Sequence, residues 1–435
     1  MTSLLEGDGV PSVAVHTHVF ARVAKSTARL RGIPTLRQAF VPQPVVGRTP
    51  PELRAYIEGS DQVSGRPFMQ EVIDGLTRPL DDADLTGATF ERTTPRLVPP
   101  DTEENLRQLF LDNRWTDFLP IVLPTEERVA AMLKATSQPP DKVVGRMRAG
   151  NFRETWEYTV EKVAVNAVMA GARPEYFPVI LALAASNTTS RQGSTTSMTC
   201  LSVVNGPVRH QIGMNAGIGA LGPYSHANTT IGRAYSLLSQ NGQGGSVAGE
   251  TYMGALGNPL AYSLAFAENE ERSPWQPLHM QKGFKPTDST VSVFVGLRYV
   301  QEGFGPRDTW EAKFRRCLAA TAYLPPLVVL DPIVARLFQS RGINSKQDLI
   351  DWCADNARLP ARDYWDDQWM QTLVRPRAAA GVEPYATKLK AAPDDIVQMY
   401  EPGDINVVVV GGETQGAWKI FGATYVATVS VDAWR

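Results

Sequence analysis

The sequence predicts an α/β protein, and three observations carry the prediction. The chain opens with an apolar run, an amphipathic segment and a second apolar run, the order strand–helix–strand that builds a parallel sheet. Beyond residue 105, short apolar runs keep alternating with segments of helical periodicity. The 32 prolines and 35 glycines imply many turns and long ordered loops rather than a helical bundle.

The opening unit begins with "VPSVAVHTHVF", apolar from Val10 to Val15 and ending in His16-Thr17-His18. In "ARVAKSTARLRG", with Val19, Phe20, Val23, Ala28 and Leu30 at broadly helical spacing, Gly32 is the stop. "IPTLRQAFVPQPVVG" returns to strand, and a helical pair follows near Pro51–Ile57 and Phe68–Leu76. These residues, 1–90, make a partial flavodoxin-like βαβ segment. About two strands fall short of the usual five or six, and a small parallel sheet leaves its edges exposed. The segment is therefore expected to complete its sheet against the rest of the chain or another subunit. The polar, Pro-rich stretch 91–105 reads as a linker, and 106–435 as a large α/β domain holding the pocket.

In that domain Thr125 is the expected N-cap of a helix with Glu126 and Glu127 in its first turn. "TWEYTVEKVAVNAVMAGARPEYFPVILALAAS" reads as two helices, separated by Gly171 and restarted by Pro174. "MTCLSVVNGPV" is a strand entering an Asn-Gly turn, and a short helix is expected from about Asn228 to Ser239. "DSTVSVFVGLRYV" is a strand. "LPPLVVLDPIVARLF" and the segment after it give strand, helix, turn, helix. "INVVVVGGETQGAW" is a buried strand stopping at Gly411-Gly412. No repeat with a period of about 20–50 residues stands out.

A net charge of −2 argues against nucleic acid or an anionic membrane as the main partner. No apolar run reaches the ~18 residues of a membrane span, and no secretory signal is visible at the N-terminus, which leads to the expectation of a cytoplasmic protein. Cys200, Cys317 and Cys353 form no CxxC, so no thiolate metal site is expected. The motifs require no cofactor. A divalent metal is compatible with the chain, His279 being the one weak candidate ligand; spacing predicts no metal site, because HxxxH and HExxH are absent.

Three constellations can carry chemistry, each with a bland counterpart. Asn205, Asn215 and Asn228 sit in glycine-rich turns, and Arg233 lies about one turn into the following helix, where a guanidinium can return to an anionic group of a substrate. The bland reading is ordinary glycine turns with an Asn cap. Glu161, Lys162 and Asn166 interrupt an apolar helix; buried they suit base or nucleophile work, exposed they are a solvated stripe. In "AFAENEERSPWQPLH", Glu268 and Glu270 alternate and share a face if extended. With His279 they suit proton transfer or ligand binding. The counterpart is a solvated acidic turn with Arg272 pairing locally. Glu268→Gln and His279→Ala are expected to abolish turnover at nearly unchanged stability. His16 and His18 mark the C-terminal end of the first strand, where ligands sit in open α/β sheets.

"GVPSVAVHTHVFARVAKSTARLRGIPTLRQAFVPQPVVGRTPPEL" resembles the C-terminal half of the UGSC proteins, a family named for its U/C-G-S-C motif and similar to selenoprotein B components of amino-acid reductases. "TVEKVAVNAVMAGARPEYFPVILALAA", "VVNGPVRHQIGMNAGIGALGPYSHANTTIGRA" and "FAENEERSPWQPLHMQKGF" resemble a larger domain fused to, or encoded beside, such proteins. Together these stretches cover most of the chain. The family motif belongs before the strand at Val10, yet no UGSC or CGSC occurs, and Ala172 stands where the larger domain carries a Cys. The resemblance thus implies either an inactive relative or a thiol half-domain supplied by a separate small subunit, with His16 and His18 at the junction. It leads to the expectation of one subunit of a hetero-oligomeric enzyme that cleaves or adds across a carbon–heteroatom bond of a small polar molecule. A metal-dependent hydratase or hydrolase and a non-catalytic scaffold are the alternatives.

Overall fold

The computed structural model describes residues 2–30, 33–79, 95–148, 155–188, 198–242, 248–249, 252–258, 263–303, 310–321 and 324–435. Helices and strands mix throughout, as an α/β protein requires. The expected helix stop at Gly32 and the first part of the 91–105 linker lie outside the described residues.

In the opening unit, β1 (Ala14–Thr17) and β2 (Gln38–Val41) pair in parallel, Ala14 opposite Gln38 and Thr17 opposite Val41. The helix Ala21–Leu30 makes the crossover. Two further helices, Pro50–Glu58 and Phe68–Thr77, cover the pair. The first opens with a capping box between Thr49 and Glu52. Asp61, buried, fixes the following loop to β2: its carboxylate accepts the Phe40 N–H at 2.6 Å and those of Val63 and Ser64 at 2.8 Å. The core here is small, Ala39, Val41 and Phe68 with Val13, Tyr56 and Val72 against them. Among the described residues, β1 and β2 pair only with each other.

The strands β3 (Val143–Arg148) and β4 (Thr155–Thr159) form an antiparallel pair. The sequence reading placed Thr155–Thr159 in a helix, and the structure corrects it. Thr, Trp and Tyr are β-formers, and the helix begins only at Val160, where the Thr159 side chain caps the Lys162 N–H. That helix, Val160–Met169, and the next, Phe177–Ala184, are separated as expected by Gly171, whose φ of 77° suits glycine.

The main sheet is built from β5 (Thr199–Asn205), β6 (Leu264–Ala267), β7 (Thr290–Gly303) and β8 (Pro326–Leu330). After a small separate pair, β9 (Arg358–Pro360) with β10 (Ile396–Gln398), it gains β11 (Asn406–Val409) and β12 (Ala417–Ser430). The order is β11-β8-β12-β7-β5-β6. It is palindromic. Each half contributes a parallel pair, β5 with β6 and β8 with β11, flanked by a 14-residue antiparallel strand, and the two long strands meet at the centre.

The registers carry the equivalence to single residues. Val203 lies between Phe266 and Ser292, as Val329 lies between Val408 and Lys419. Phe294 stacks edge-on with Tyr425 at 5.6 Å, and Phe421 sits 5.8 Å from Tyr299. At the central crossing a Cβ on Gly296 would collide with the Gly422 carbonyl, so glycine lets β7 and β12 approach.

The sheet curls until its edges touch. The Asn269 N–H, just past β6, donates to the Val409 carbonyl of β11 at 2.8 Å. The Asn269 side-chain amide donates to the Gly411 carbonyl at 2.9 Å. Side chains from all six strands meet on the inner face, among them Leu201, Phe266, Phe294, Val329, Val408 and Phe421. The outer face packs against two helical layers. Val160–Met169, Phe177–Ala184 and His226–Gly242 cover the first half. Trp310–Ala319, Pro332–Ser340 and Lys346–Asn356 cover the second. The curl brings the C-terminal ends of all four parallel strands toward one region.

Candidate active site

At that region β5 ends in Asn205, and Gly206, with φ of 82°, turns the chain. A side chain at Gly206 would meet the backbone of Asp288 and Ser289, so the Asn-Gly pair is fixed by space as well as by φ. β6 ends at Ala267 and releases Glu268, Asn269, Glu270 and Glu271. The alternation expected from the sequence is met: the Asn205 side-chain amide donates to Glu268 at 2.7 Å and to Glu270 at 2.9 Å.

Glu268 is fully buried and saturated. Its Oε2 accepts from Asn205 and from the Leu278 N–H at 2.8 Å. Its Oε1 accepts from Lys346 Nζ at 2.5 Å and from the Val409 N–H at 3.3 Å. Lys346 is 1% exposed, so this is a fully desolvated ion pair joining the two halves of the sheet. A carboxylate with four donors is fixed in place and orients what surrounds it. Such a residue belongs to the frame of the site.

Glu270 differs. Its Oε1 accepts from Asn205 and from the Gly206 N–H at 2.8 Å and forms an ion pair with Arg209 Nε at 3.0 Å, while its Oε2 has no partner among the described residues. Its side chain keeps 14% of its surface in solvent. Arg209, buried, also donates to the Glu268 carbonyl at 2.8 Å and grips Glu271 through two nitrogens, at 3.2 and 2.9 Å. The Arg209 guanidinium, with help from His210 at 2.8 Å, pulls the Glu271 carboxyl down to about 2.

Three buried polar groups around this frame lack partners among the described residues: the Asn205 Oδ1, the Thr290 hydroxyl and both ring nitrogens of His279. Thr290 pairs with Asn205 across β5 and β7. His279 follows Leu278, whose N–H is bound to Glu268, and is fully buried. Burying an imidazole with neither nitrogen paired costs stability, and a ligand atom or ordered water meeting these groups would recover it. Trp275, with its indole N–H on the Ile343 carbonyl at 3.2 Å, and Pro277 at the N-cap hold the His279 turn in place. Arg272 reaches Glu413 at 3.0 Å, across the sheet closure, in place of the local pairing considered from sequence.

Of the Asn-rich turns, Asn228 is an internal clamp. The helix starts at His226, two residues before the expected Asn228, which therefore lies inside the first turn. Its side chain accepts the Asn215 N–H at 3.1 Å and donates to the Asn215 and Ala220 carbonyls at 2.9 and 3.1 Å. Asn215 accepts the Gly217 N–H at 2.8 Å and donates to the Ile218 carbonyl at 2.8 Å. Together they shape the 215–222 loop, which faces the Gly411-Gly412 turn across an open cleft of about 350 Å³.

The remaining candidates lie elsewhere. Arg233 is engaged by Asp117 through two bonds of 2.9 Å and by the Pro120 carbonyl. Glu161 pairs with Arg96 at 2.7 Å, and Lys162 is exposed. Asn166 is buried between the Lys162 carbonyl and the Asn241 side chain. His16 rests 6.0 Å from Phe40 with burial lowering its pKa, and His18 is exposed. The thiols of Cys200, Cys317 and Cys353 are buried and pushed up by that burial, so none is poised as a thiolate. Among the described residues no group of three or more His, Cys, Asp or Glu side chains is placed to hold a metal ion, and no helix is long and apolar enough to cross a membrane.

Sequence reading missed Lys346, Arg209 and Glu271. Lys346 opens a helix after the Ser345 cap and carries no local sign of burial. Arg209 follows the Asn-Gly turn closely enough to have been suspected.

Residues 3–62 match the model of the UGSC family. This is the βαβ unit of β1 and β2 together with the helix Pro50–Glu58, so the opening segment is of the UGSC type. The match ends where the Asp61 loop closes the UGSC segment. No curated protein matches the chain.

Proposed function

We propose that the chain is the pocket-bearing subunit of an enzyme that cleaves or adds across a carbon–heteroatom bond of a small polar molecule. The observation that carries this reading is the closure of the sheet at its strand ends, where Asn269 after β6 binds the Gly411 turn that lines an open cleft and where the buried Asn205, Thr290 and His279 keep polar atoms without partners among the described residues. Glu270, with one oxygen unengaged, moves the proton. His279 and the Asn205 side-chain Oδ1 orient the substrate. Glu268 and Lys346 keep the frame rigid.

A thiol-dependent step would need a partner, because the three cysteines of this chain are buried. The UGSC segment supports a docking role. Its two strands leave their outer edges unpaired among the described residues, and Val15 is 52% exposed. A small Cys-bearing subunit adding strands there would complete the sheet and bring a thiol to His16 and His18. Among the described residues the metal-dependent alternative has no cluster of three or more ligands to build on.

The test is affinity purification from the native cell, followed by turnover assays of the recovered assembly on a library of small polar compounds. A co-purifying small subunit, with turnover that falls at least about 100-fold in Glu270→Gln, supports the reading. A lone chain with no turnover favours a scaffold. Turnover that Glu270→Gln leaves unchanged removes the site assignment.

A further inference from the structure

The palindromic sheet makes each half a control for the other, and the two differ in their charged positions. In the first half the residue following the β6 strand is Glu268, and it neutralises Lys346. The registers put Val410 in the equivalent place after β11. The second half supplies Lys346 to that pair and carries a further lysine on its inner face. Lys419 lies beside Val329 on one side and Gln301 on the other, and it lines the cleft.

Among the described residues Lys419 has no carboxylate in ion-pair range. Its ammonium sits 5.5 Å from the centre of the Tyr299 ring, and burial lowers its pKa. Asp331 also lines the cleft, but its two oxygens accept the N–H groups of Ile333 at 2.8 Å and Glu413 at 3.1 Å. Glu413 in turn is held by Arg272 and Arg336. Among the described residues the cleft therefore holds one carboxylate, fixed by backbone N–H groups, and one ammonium, Lys419, that no carboxylate pairs with directly.

Its walls add donors. The N–H groups of Gly219 and Gly412 enter no hydrogen bond among the described residues. A side chain at Gly412 would collide with Ile218, and one at Gly411, with φ of 134°, with Asp331. Glycine there lets the turn pack closely against Ile218 and Asp331. The volume of about 350 Å³ suits a small metabolite. One lysine without an arginine matches a single negative charge better than a phosphate dianion, which guanidinium clusters favour.

We propose that the cleft between the 217–222 loop and the Gly411-Gly412 turn binds a small monocarboxylate, with Lys419 as its counter-ion and the glycine amides on its oxygens. The proposal deepens the functional reading above and rests on it only in taking the bound molecule to be the substrate.

Isothermal titration of the full chain with acetate, glycolate, lactate and pyruvate, each beside an uncharged analogue such as acetamide or lactamide, and with inorganic phosphate, tests it. At least one carboxylate is expected to bind, and its uncharged analogue to bind at least about tenfold more weakly, the range of a charge-assisted hydrogen bond. Lys419→Met and Lys419→Gln should lose about tenfold in affinity, and Lys419→Arg should retain binding. Circular dichroism and thermal melts of the same samples establish that each variant is folded; because Lys419 has no ion partner among the described residues to abandon, folding should survive. Equal binding of acid and amide, unchanged affinity in both neutral variants, binding of phosphate alone, or no binding by any acid overturns the proposal. Carboxylate binding that depends on Lys419, together with turnover indifferent to Glu270→Gln, would leave this inference standing and remove the functional reading.

Discussion

At the residue scale, the site separates groups that hold it from groups that are free to act. Glu268 and Lys346 are both essentially inaccessible to water. Removing one partner strands the other charge, so Lys346→Met should cost about 3–5 kcal/mol in urea unfolding. For the same reason Glu268→Gln, expected from sequence to spare stability, should lower it. His279 behaves in the opposite way. It is buried with both nitrogens unpartnered, so His279→Leu should hold or raise stability, by up to about 1–3 kcal/mol if no water pairs with the ring, while weakening ligand binding. A core histidine with no part in binding would show the first effect without the second. Glu271 gives a pH signature. Its carboxyl is held at about 2, against an ordinary 4.5, by Arg209 and then His210. A depressed carboxyl stabilises the fold above the ordinary value and loses that contribution as pH falls from about 4.5 to about 2. Acid unfolding curves of Glu271→Gln should be flatter through that window than those of wild type.

At the scale of elements, close backbone approaches set the geometry that the site relies on. In the helix His226–Gly242, a Cβ on Gly232 would run into the Ser263 carbonyl, at the entrance to β6. Gly232→Ala should push this helix off the sheet and cost at least about 1–3 kcal/mol of thermal stability, as overpacking does. A melting temperature equal to wild type would show that the segment gives way freely. The elements most legible in sequence were those with strong local signals. They include the strand and Asn-Gly turn at Asn205, the Thr125 cap, the Gly171 break and the buried run ending at Val409. The strand Thr155–Thr159 was missed because its apolar positions continue without a break into the helical pattern that follows. Half of the site was legible for a related reason. Asn205 ends β5, Glu268 and Glu270 follow β6 and His279 lies in the short helix Leu278–Gln281 just beyond, whereas Lys346 reaches Glu268 only through tertiary packing and Lys419 reads as one polar residue of a strand.

At the scale of the molecule, the palindrome of the main sheet escaped sequence reading because its two halves share positions and little else. "LSVVNGPV" and "LVVLDPIV" occupy equivalent places, but the spacing between them far exceeds the ~20–50 residues of a stacked repeat. The same architecture predicts how the chain opens. The main sheet is one cooperative body: β7 and β12 pair along most of their length, three apolar clusters share its strands, and the Glu268–Lys346 pair ties the halves together. The UGSC segment has a core of a few side chains and a two-stranded sheet. A pair of strands without neighbours is marginal by itself, so this segment should open without unfolding the rest. In native-state hydrogen exchange, the amides of Ala39–Val41 should exchange at least about 100-fold faster than those of Val203, Val293 and Val329, a gap of about 2.7 kcal/mol. Strands added by a docking subunit would close that gap, because they would supply the hydrogen bonds and apolar cover the segment lacks. Equal protection across both regions in the isolated chain would mean that the UGSC segment is already complete, and the case for a partner at β1 and β2 would fall with it.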